Sequence, residues 1–255
     1  MWTCYYGVET LGIEKLTDKD AKQDKIVEMF DDIASTYDKA NRVLSMGIDI
    51  QWRKKGCDKA FEILGKKELG QVTDVATGTG DLLIYWKEQA AKNGVNIEKY
   101  VGIDPSVGML KVAKEKVDFA EFIVGKAQEL PIINESSDVI SISYGIRNVV
   151  DRVEALQEFN RALKPGGLVV ILEFTKQERQ GFIDKVVDFG MKNVLPRVGG
   201  FISKNYEAYK YLPDSIEEFL TTEMLSQELE EAGFEMKYTK SFSMGISTLL
   251  VAQKK

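Results

Sequence analysis

The chain has 255 residues, 44% of them hydrophobic, and carries 34 Lys and Arg against 40 Asp and Glu, a formal charge of -6. That is enough to bury one large core, and the acidic balance argues against a nucleic-acid partner. Histidine is absent and cysteine occurs only at Cys4 and Cys57, which excludes Ser-His-Asp and Cys-His catalysis, leaves zinc chemistry without its usual ligands and builds no disulfide framework.

Residues 1–23 end in a polar stretch, Thr17 to Asp24, and are expected to form a flexible leader. The opening Met1 to Val8 lacks the basic and apolar regions of a signal peptide, and no apolar run reaches the roughly 18 residues of a spanning helix, so the expected compartment is the cytoplasm. A single domain is expected over 24–255. From Lys25 the apolar residues Ile26, Met29, Phe30 and Ile33 recur at helical spacing. A second helical region, 48–64, places Trp52, Phe61 and Leu64 on its core face, and residues 24–66 together make an N-terminal helical cap.

Strands and helices then alternate. Short apolar or β-branched runs at 72–76, 100–103, 120–124, 139–143 and 168–173 read as buried parallel strands, with helices at 81–93, 106–117 and 151–164 between them. Lys164-Pro-Gly-Gly167 reads as a helix stop and a turn into the fifth strand. After a helix at 224–232, strands 234–242 and 247–253 flank Met244-Gly245 and close the sheet as a hairpin. Residues 175–220 break the alternation. They are rich in aromatics (Phe182, Phe189, Phe201, Tyr206, Tyr209, Tyr211, Phe219) and read as a helical layer that can double as a lid over an apolar substrate.

Two features point to a ligand at the carboxyl edge of this sheet. Val72-Thr-Asp-Val-Ala-Thr-Gly-Thr-Gly-Asp81 describes a strand, then a glycine turn. Asp104 ends the next strand, where a carboxylate can take both hydroxyls of a ribose. Gly78 and Gly80 fit the start of a dinucleotide fingerprint, but its third glycine is Leu83 and Asp81 would repel a pyrophosphate. An adenosine cofactor with a cationic centre, S-adenosylmethionine, fits better than NAD, with Asp74, Gly78, Thr79, Gly80 and Asp104 as the candidate residues. After the fourth strand comes Ser141-Ile-Ser-Tyr-Gly-Ile-Arg-Asn-Val149. Arg147 could hold a phenolate or enolate oxygen and Asn148 a second one. Equally, Arg147 could pair with an acid and Asn148 could cap the next helix.

Ser143-Tyr-Gly-Ile-Arg-Asn-Val149 resembles the signature of the UbiE/MenG quinone C-methyltransferases. So do Phe30 to Asp38, Asn41 to Gly47 with Trp52-Arg53, Asp74 to Asp81, Leu163 to Gly167, Leu172 to Thr175 and Ala208 to Ile216. The likeness runs from about Lys25 to the C-terminus. It implies a Rossmann-like class I S-adenosylmethionine-dependent methyltransferase fold, a mostly parallel seven-stranded sheet with a C-terminal antiparallel hairpin and a helical lid. It implies methylation of a ring carbon of a prenylated quinol, demethylmenaquinol or a ubiquinone precursor, without a metal. By matching motifs, Thr79 and the Gly78 backbone meet the methionine part, Asp104 the ribose, Lys126 and Ala127 the adenine side, and Ser143 the cofactor beyond the fourth strand.

Two positions depart from the pattern: Asp49 stands where the family commonly has histidine, and Lys126 where it has Asp or Asn. For the chemistry, Arg147 is expected to stabilise the phenolate and Asn148 to orient a hydroxyl, with the proton passing to a water polarised by Arg147, to Tyr37 or to Asp38. The apolar helical face of Phe182 to Leu195 reads as core, or as a surface that meets the inner face of the membrane and admits the tail. The residues alone also suit an O- or N-methyltransferase on a soluble molecule, or a non-catalytic cofactor-binding subunit. A homo-oligomer is left open.

Overall fold

The computed structural model describes residues 7–177, 190, 197–200, 205–243 and 245–255, the side chains of 7–17 and of 207 excepted. Seven strands form one sheet: β1 Glu68–Val75, β2 Asn96–Asp104, β3 Glu121–Val124, β4 Ser137–Ser143, β5 Leu163–Glu173, β6 Phe234–Phe242 and β7 Ser247–Lys254. Their spatial order is β3-β2-β1-β4-β5-β7-β6. The first five run parallel, and β7 pairs antiparallel with both β5 and β6. The strand order reverses between β1 and β4, where Asp74 lies opposite Ser141. Such a switch point opens a crevice at the carboxyl ends of the strands. The central strands are buried on both faces, as their unbroken apolar runs require.

Helices cover both faces. On one side α2 (Ile48–Leu64) and α3 (Asp81–Asn93) bring Trp52, Phe61, Tyr85 and Trp86 against Val139, Leu168, Val170 and Leu249. Trp86 is fully buried, and its indole N–H donates to Ser141 Oγ at 3.0 Å. The ring's burial therefore leaves no polar group unpaired. On the other side α5 (Arg152–Ala162) and α7 (Thr222–Glu231) pack Leu156, Phe159, Leu225 and Leu229 against Ile103, Ile140, Ile171 and Leu250. A third cluster joins α1 (Gly7–Ser45), α4 (Val107–Lys116) and α6 (Tyr206–Glu218) through Ile33, Ala34, Ala40, Met109, Ala208 and Tyr209. Asp31 of α1 accepts from Ser106 Oγ and from the Gly108 N–H, tying α1 to the start of α4.

Helix α1 begins at Gly7, inside the segment expected to be a leader. Lys19 pairs with Asp151, and Gln23 donates to the Asn148 carbonyl at 3.3 Å while accepting from the Val150 N–H at 3.1 Å. The polar stretch lacks an apolar period because its polar groups meet the loop after β4 instead of a core. Lys164-Pro-Gly-Gly167 lies within β5 and is not a turn preceding it. Leu163 pairs with Ser137 and pairing resumes at Val139 with Leu168, so the four residues bulge out of the ladder. Lys164 Nζ then reaches Asp138 at 2.7 Å, and the same carboxylate accepts from the Gly70 and Gln71 N–H groups.

Of the aromatic insertion, Tyr206, Tyr209, Tyr211 and Phe219 are described. Phe182, Phe189, Phe201 and the apolar face of 182–195 lie outside the described residues, Gly190 excepted.

Candidate active site

The turn after β1 bends through three left-handed residues, Ala76 at φ 50°, Gly78 at φ 56° and Gly80 at φ 81°. Nothing lies within 4 Å of where a Gly78 Cβ would be, so it is the backbone conformation that calls for glycine there. The Gly78 N–H donates to Asp104 Oδ2 at 2.8 Å and the Ser106 N–H to Asp104 Oδ1 at 2.8 Å. Asp104 is thereby fixed at the end of β2. Burial pushes its carboxyl up to about 6 against the opposing pull of those two N–H groups. After β4 the chain turns through Tyr144 at φ 59°, a left-handed conformation that is costly for a bulky side chain. A Gly145 Cβ would stand 2.7 Å from the Ala76 Cβ, so glycine lets the two strand-end turns touch.

These turns enclose a cavity. Gly78, Asp104, Lys126, Ala127, Ser143 and Asn148 lie on its wall, with Ser106, Gln128 and Tyr144, and α1 roofs it with Gln23, Ile26, Phe30 and Tyr37. Asp74, Thr79 and Gly80 do not line it. Asp74 sits beneath the turn, accepting from Thr77 Oγ1 at 2.7 Å and from Ser141 Oγ at 2.8 Å. Thr79 donates to Asp38 at 2.6 Å. Asp81 is held by Arg42 and Lys116, so its charge is already compensated by protein cations. Lys126 faces Asp24 at 3.9 Å.

A second cavity, of about 320 Å³, opens beyond Phe30, Tyr37 and Tyr144, which line both. Its wall is mostly apolar or aromatic: Met29, Ile33, Leu44, Trp52, Phe174, Tyr209 and Leu212 among others, together with Asp49, Arg53 and Arg147. Arg147 is buried against Glu173, with Nη1 2.6 Å from Oε1. It also donates to the Tyr144 carbonyl at 2.9 Å and to Ser215 Oγ at 3.3 Å. Of the two sequence readings of Arg147, pairing with an acid is thus observed, and its position on the cavity wall is retained.

Asn148 does not cap α5, whose N-cap is Asp151. Its Oδ1 accepts from Tyr211 Oη at 3.1 Å. The segment Tyr211 to Ile216 therefore buttresses both Arg147 and Asn148. Burial raises the Tyr37 phenol above its usual range, against the pull of Arg53 and Arg147. It stays protonated at neutral pH and is therefore no ready base, although Asn41 also pulls it toward the ionised form. Asp38 is committed to Thr79 and Lys116. Asp49 is neither a cap nor a free base. Burial would raise its carboxyl, but Arg53, the Ser45 hydroxyl and Arg42 outweigh that and hold it below the usual range.

A model of the ubiE/COQ5 methyltransferase family matches residues 18–254. The chain belongs to that family. It is 55% identical over 233 residues to the ubiquinone/menaquinone biosynthesis C-methyltransferase UbiE of Campylobacter jejuni, covering 91% of this chain and 99% of that protein. It is 38% identical to the demethylmenaquinone methyltransferase of Thermotoga maritima, covering 85% and 90%. Among solved structures, the fold resembles a methyltransferase bound to the Trm112 activator from Haloferax volcanii, with a TM-score of 0.60, 18% identity and coverage of 88% and 96%. It also resembles a SAM-dependent methyltransferase from Thermotoga maritima, with a TM-score of 0.56, 20% identity and coverage of 90% and 100%. The ubiE/COQ5 chain is a class I methyltransferase, and its cofactor is S-adenosylmethionine.

The first cavity suits that cofactor: a buried carboxylate for vicinal hydroxyls, apolar walls for a base, and a polar end at Ser143 and Asn148. Sequence reasoning placed Tyr37 at the site but missed Gln23, Ile26 and Phe30 beside it, because the helical period of Ile26 to Ile33 looks the same whether it faces a core or a ligand. Tyr144 and Arg53 stood only inside quoted motifs, and no local signal assigns either side chain to the site.

Asp74 makes one expectation for this ubiE/COQ5 chain testable. Burial pushes its carboxyl up to about 7 from 3.8, although the Thr77 and Ser141 hydroxyls favour the charged form. The folded state holds that proton more tightly than the unfolded chain. Its contribution is therefore present at low pH and lost as pH rises through about 7. Asp74→Asn, which cannot titrate, is expected to gain thermal stability relative to wild type as pH rises from about 4 to about 8. Paired melting curves check this. A constant difference across that range would show that Asp74 stays ionised.

Proposed function

We propose that this methyltransferase transfers a methyl group to a ring carbon of a prenylated 1,4-quinol, with demethylmenaquinol as the preferred acceptor. The observation that carries the reading is the second cavity: apolar, aromatic-walled, joined to the cofactor cavity at Phe30, Tyr37 and Tyr144, and carrying the Arg147–Glu173 pair on its wall. The names of the relatives from Campylobacter and Thermotoga support it.

When bound, S-adenosylmethionine supplies an electrophilic methyl on sulfonium with a neutral thioether as leaving group. Asp104 and the Gly78 turn would hold the adenosine, with Lys126 and Ala127 on the adenine side. Asp74 keeps the turn in shape, Thr79 and Gly80 place its backbone, and Ser143 closes the polar end. In the acceptor cavity Arg147, held in place by Glu173 and Ser215, stabilises the phenolate formed when the quinol hydroxyl gives its proton to water. Negative charge then reaches the neighbouring ring carbon, the atom that would take the methyl group, and water would accept the ring proton whose loss restores aromaticity. Asn148, buttressed by Tyr211, would orient the hydroxyl from the cofactor cavity's wall, and Tyr37, which lines both cavities, offers its hydroxyl from the roof. Positioning and electrostatics carry the catalysis, as a chain without histidine requires.

Among the described residues no helix is long and apolar enough to cross a membrane. Val43, Met46 and Ile48 are exposed where α1 meets α2, and Met46 and Ile48 also line the acceptor cavity. We read this as the mouth that admits the tail from the membrane surface, with the chain otherwise cytoplasmic.

The test is methyl transfer from labelled S-adenosylmethionine to a short-tailed demethylmenaquinone, with and without chemical reduction. Label on the ring carbon only under reducing conditions is the expected result. Preferential labelling of catechols or amines, or cofactor binding without transfer to any quinol, would overturn the reading.

A further inference from the structure

Trp52-Arg53 is a motif that the chemistry above leaves unused. Arg53, on α2, is 8% exposed and lines the acceptor cavity. Its Nε donates to Ser143 Oγ at 3.2 Å, its Nη1 meets Asp49, and its guanidinium lies 5.2 Å from the centre of the Tyr144 ring. Arg147 repeats the arrangement, with its guanidinium 5.5 Å from the Phe174 ring centre and Glu173 as its buried carboxylate. Tyr144 and Phe174 are stacked on each other, with centroids 4.4 Å apart. Each of the two rings of one stacked pair thus carries its own buried guanidinium–carboxylate pair, and both guanidinium groups line one cavity.

The fold alone does not account for Arg53. Asp49 already accepts from Arg42 Nη1 at 2.6 Å and from Ser45 Oγ at 2.6 Å. An i,i+4 pair along a helix gains much less than burying a guanidinium costs. A second observation points the same way. The Tyr209 hydroxyl, on the same cavity's wall, is buried and has no hydrogen-bond partner among the described residues. A buried donor left unpaired marks a place where a ligand oxygen belongs. Tyr37, Arg53 and Arg147 line the same cavity, and the Tyr37 hydroxyl feels both cations.

We propose that Arg53 binds the second oxygen of the acceptor, the one para to the oxygen held at Arg147, so that the site selects rings carrying two para oxygens over rings carrying one. The assignment rests on the quinol reading and deepens it. Ser143, which Arg53 contacts, lines the cofactor cavity, so the same contact registers the ring against the cofactor.

The experiment compares two short-tailed acceptors under reducing, anaerobic conditions: a 1,4-naphthalenediol, and the mono-ol lacking the oxygen para to the hydroxyl beside the reacting carbon. KM or inhibition constants are measured for wild type and Arg53→Gln, with the S-adenosylmethionine Kd by calorimetry as control. Asp49 keeps Arg42 and Ser45 in the variant, which protects the fold. Wild type is expected to prefer the diol by on the order of 10- to 100-fold, the range for a hydrogen bond to a charged group. Arg53→Gln should lose most of that preference through the diol alone, with cofactor affinity held, and Arg53→Lys should restore part of it.

An undiminished preference, or equal losses for both acceptors, would overturn the assignment. If Arg53→Gln does not fold, Arg53→Lys carries the comparison, and the same two outcomes decide it. Failure of wild type to methylate the diol would overturn the quinol reading itself.

Discussion

Arg147→Ala is expected to lower kcat for the reduced acceptor on the order of 10²- to 10³-fold, the usual cost of removing one preorganised donor from a developing oxyanion. The same substitution leaves Glu173 fully buried without its cation, which costs about 3–5 kcal/mol of stability where the carboxylate stays charged. Burial raises the Glu173 carboxyl, against the pull of Arg147 and of the Phe174 and Arg147 N–H groups, so part of that cost is relieved by proton uptake. A loss of turnover alone would therefore not separate chemistry from unfolding. The double variant Arg147→Met, Glu173→Leu does separate them. It replaces the pair by apolar groups of similar volume and should recover most of the stability. It should recover none of the turnover. Melting temperature and single-turnover rate on the two variants check the pair of expectations. Full activity in either folded variant would remove Arg147 from the mechanism.

Asp104→Ala is expected to weaken S-adenosylmethionine binding by on the order of 10²-fold or more, since two hydrogen bonds to a charged acceptor are lost together. The Gly78 and Ser106 N–H groups also lose their acceptor, so the turn that frames the cavity loosens. The pH dependence tells the carboxylate's charge from its shape. Burial pushes Asp104 up to about 6, so the free protein holds a neutral acid below that pH and a carboxylate above it. If Asp104 holds the ribose as proposed, only the carboxylate would accept from both hydroxyls while still accepting from its backbone donors. The cofactor Kd is expected to fall as pH rises from about 5 to about 7, and Asp104→Asn should flatten that dependence. Calorimetric titrations across that range check it, and an equally steep profile in Asp104→Asn would assign the titration to another group.

Most elements were legible because their signals are local. Helices at 48–64 and 81–93 and the strand at 234–242 fall where periodicity and turn residues put them. The parallel sheet followed from short apolar runs alternating with helices, and Asp104 from its place at the end of one such run. The bulge at Lys164 to Gly167 was misread because a glycine pair after a proline looks alike in a turn and in a displaced ladder. The docked end of α1 was misread because Lys19 and Gln23 have partners more than a hundred residues away.

The sequence by itself determined the order of the elements, the glycine turn, the absence of histidine chemistry and the cofactor class. Each depends on backbone conformation or residue type within a short window. Only the tertiary structure decided what Arg147 and Asp49 do. Parallel pairing of β4 with β5 brings Glu173 to Arg147, and packing sets Arg42, at the end of α1, against Asp81 at the start of α3 as well as against its near neighbour Asp49 on α2. A buried charge is defined by its partner, and partners far apart in the chain are chosen by packing.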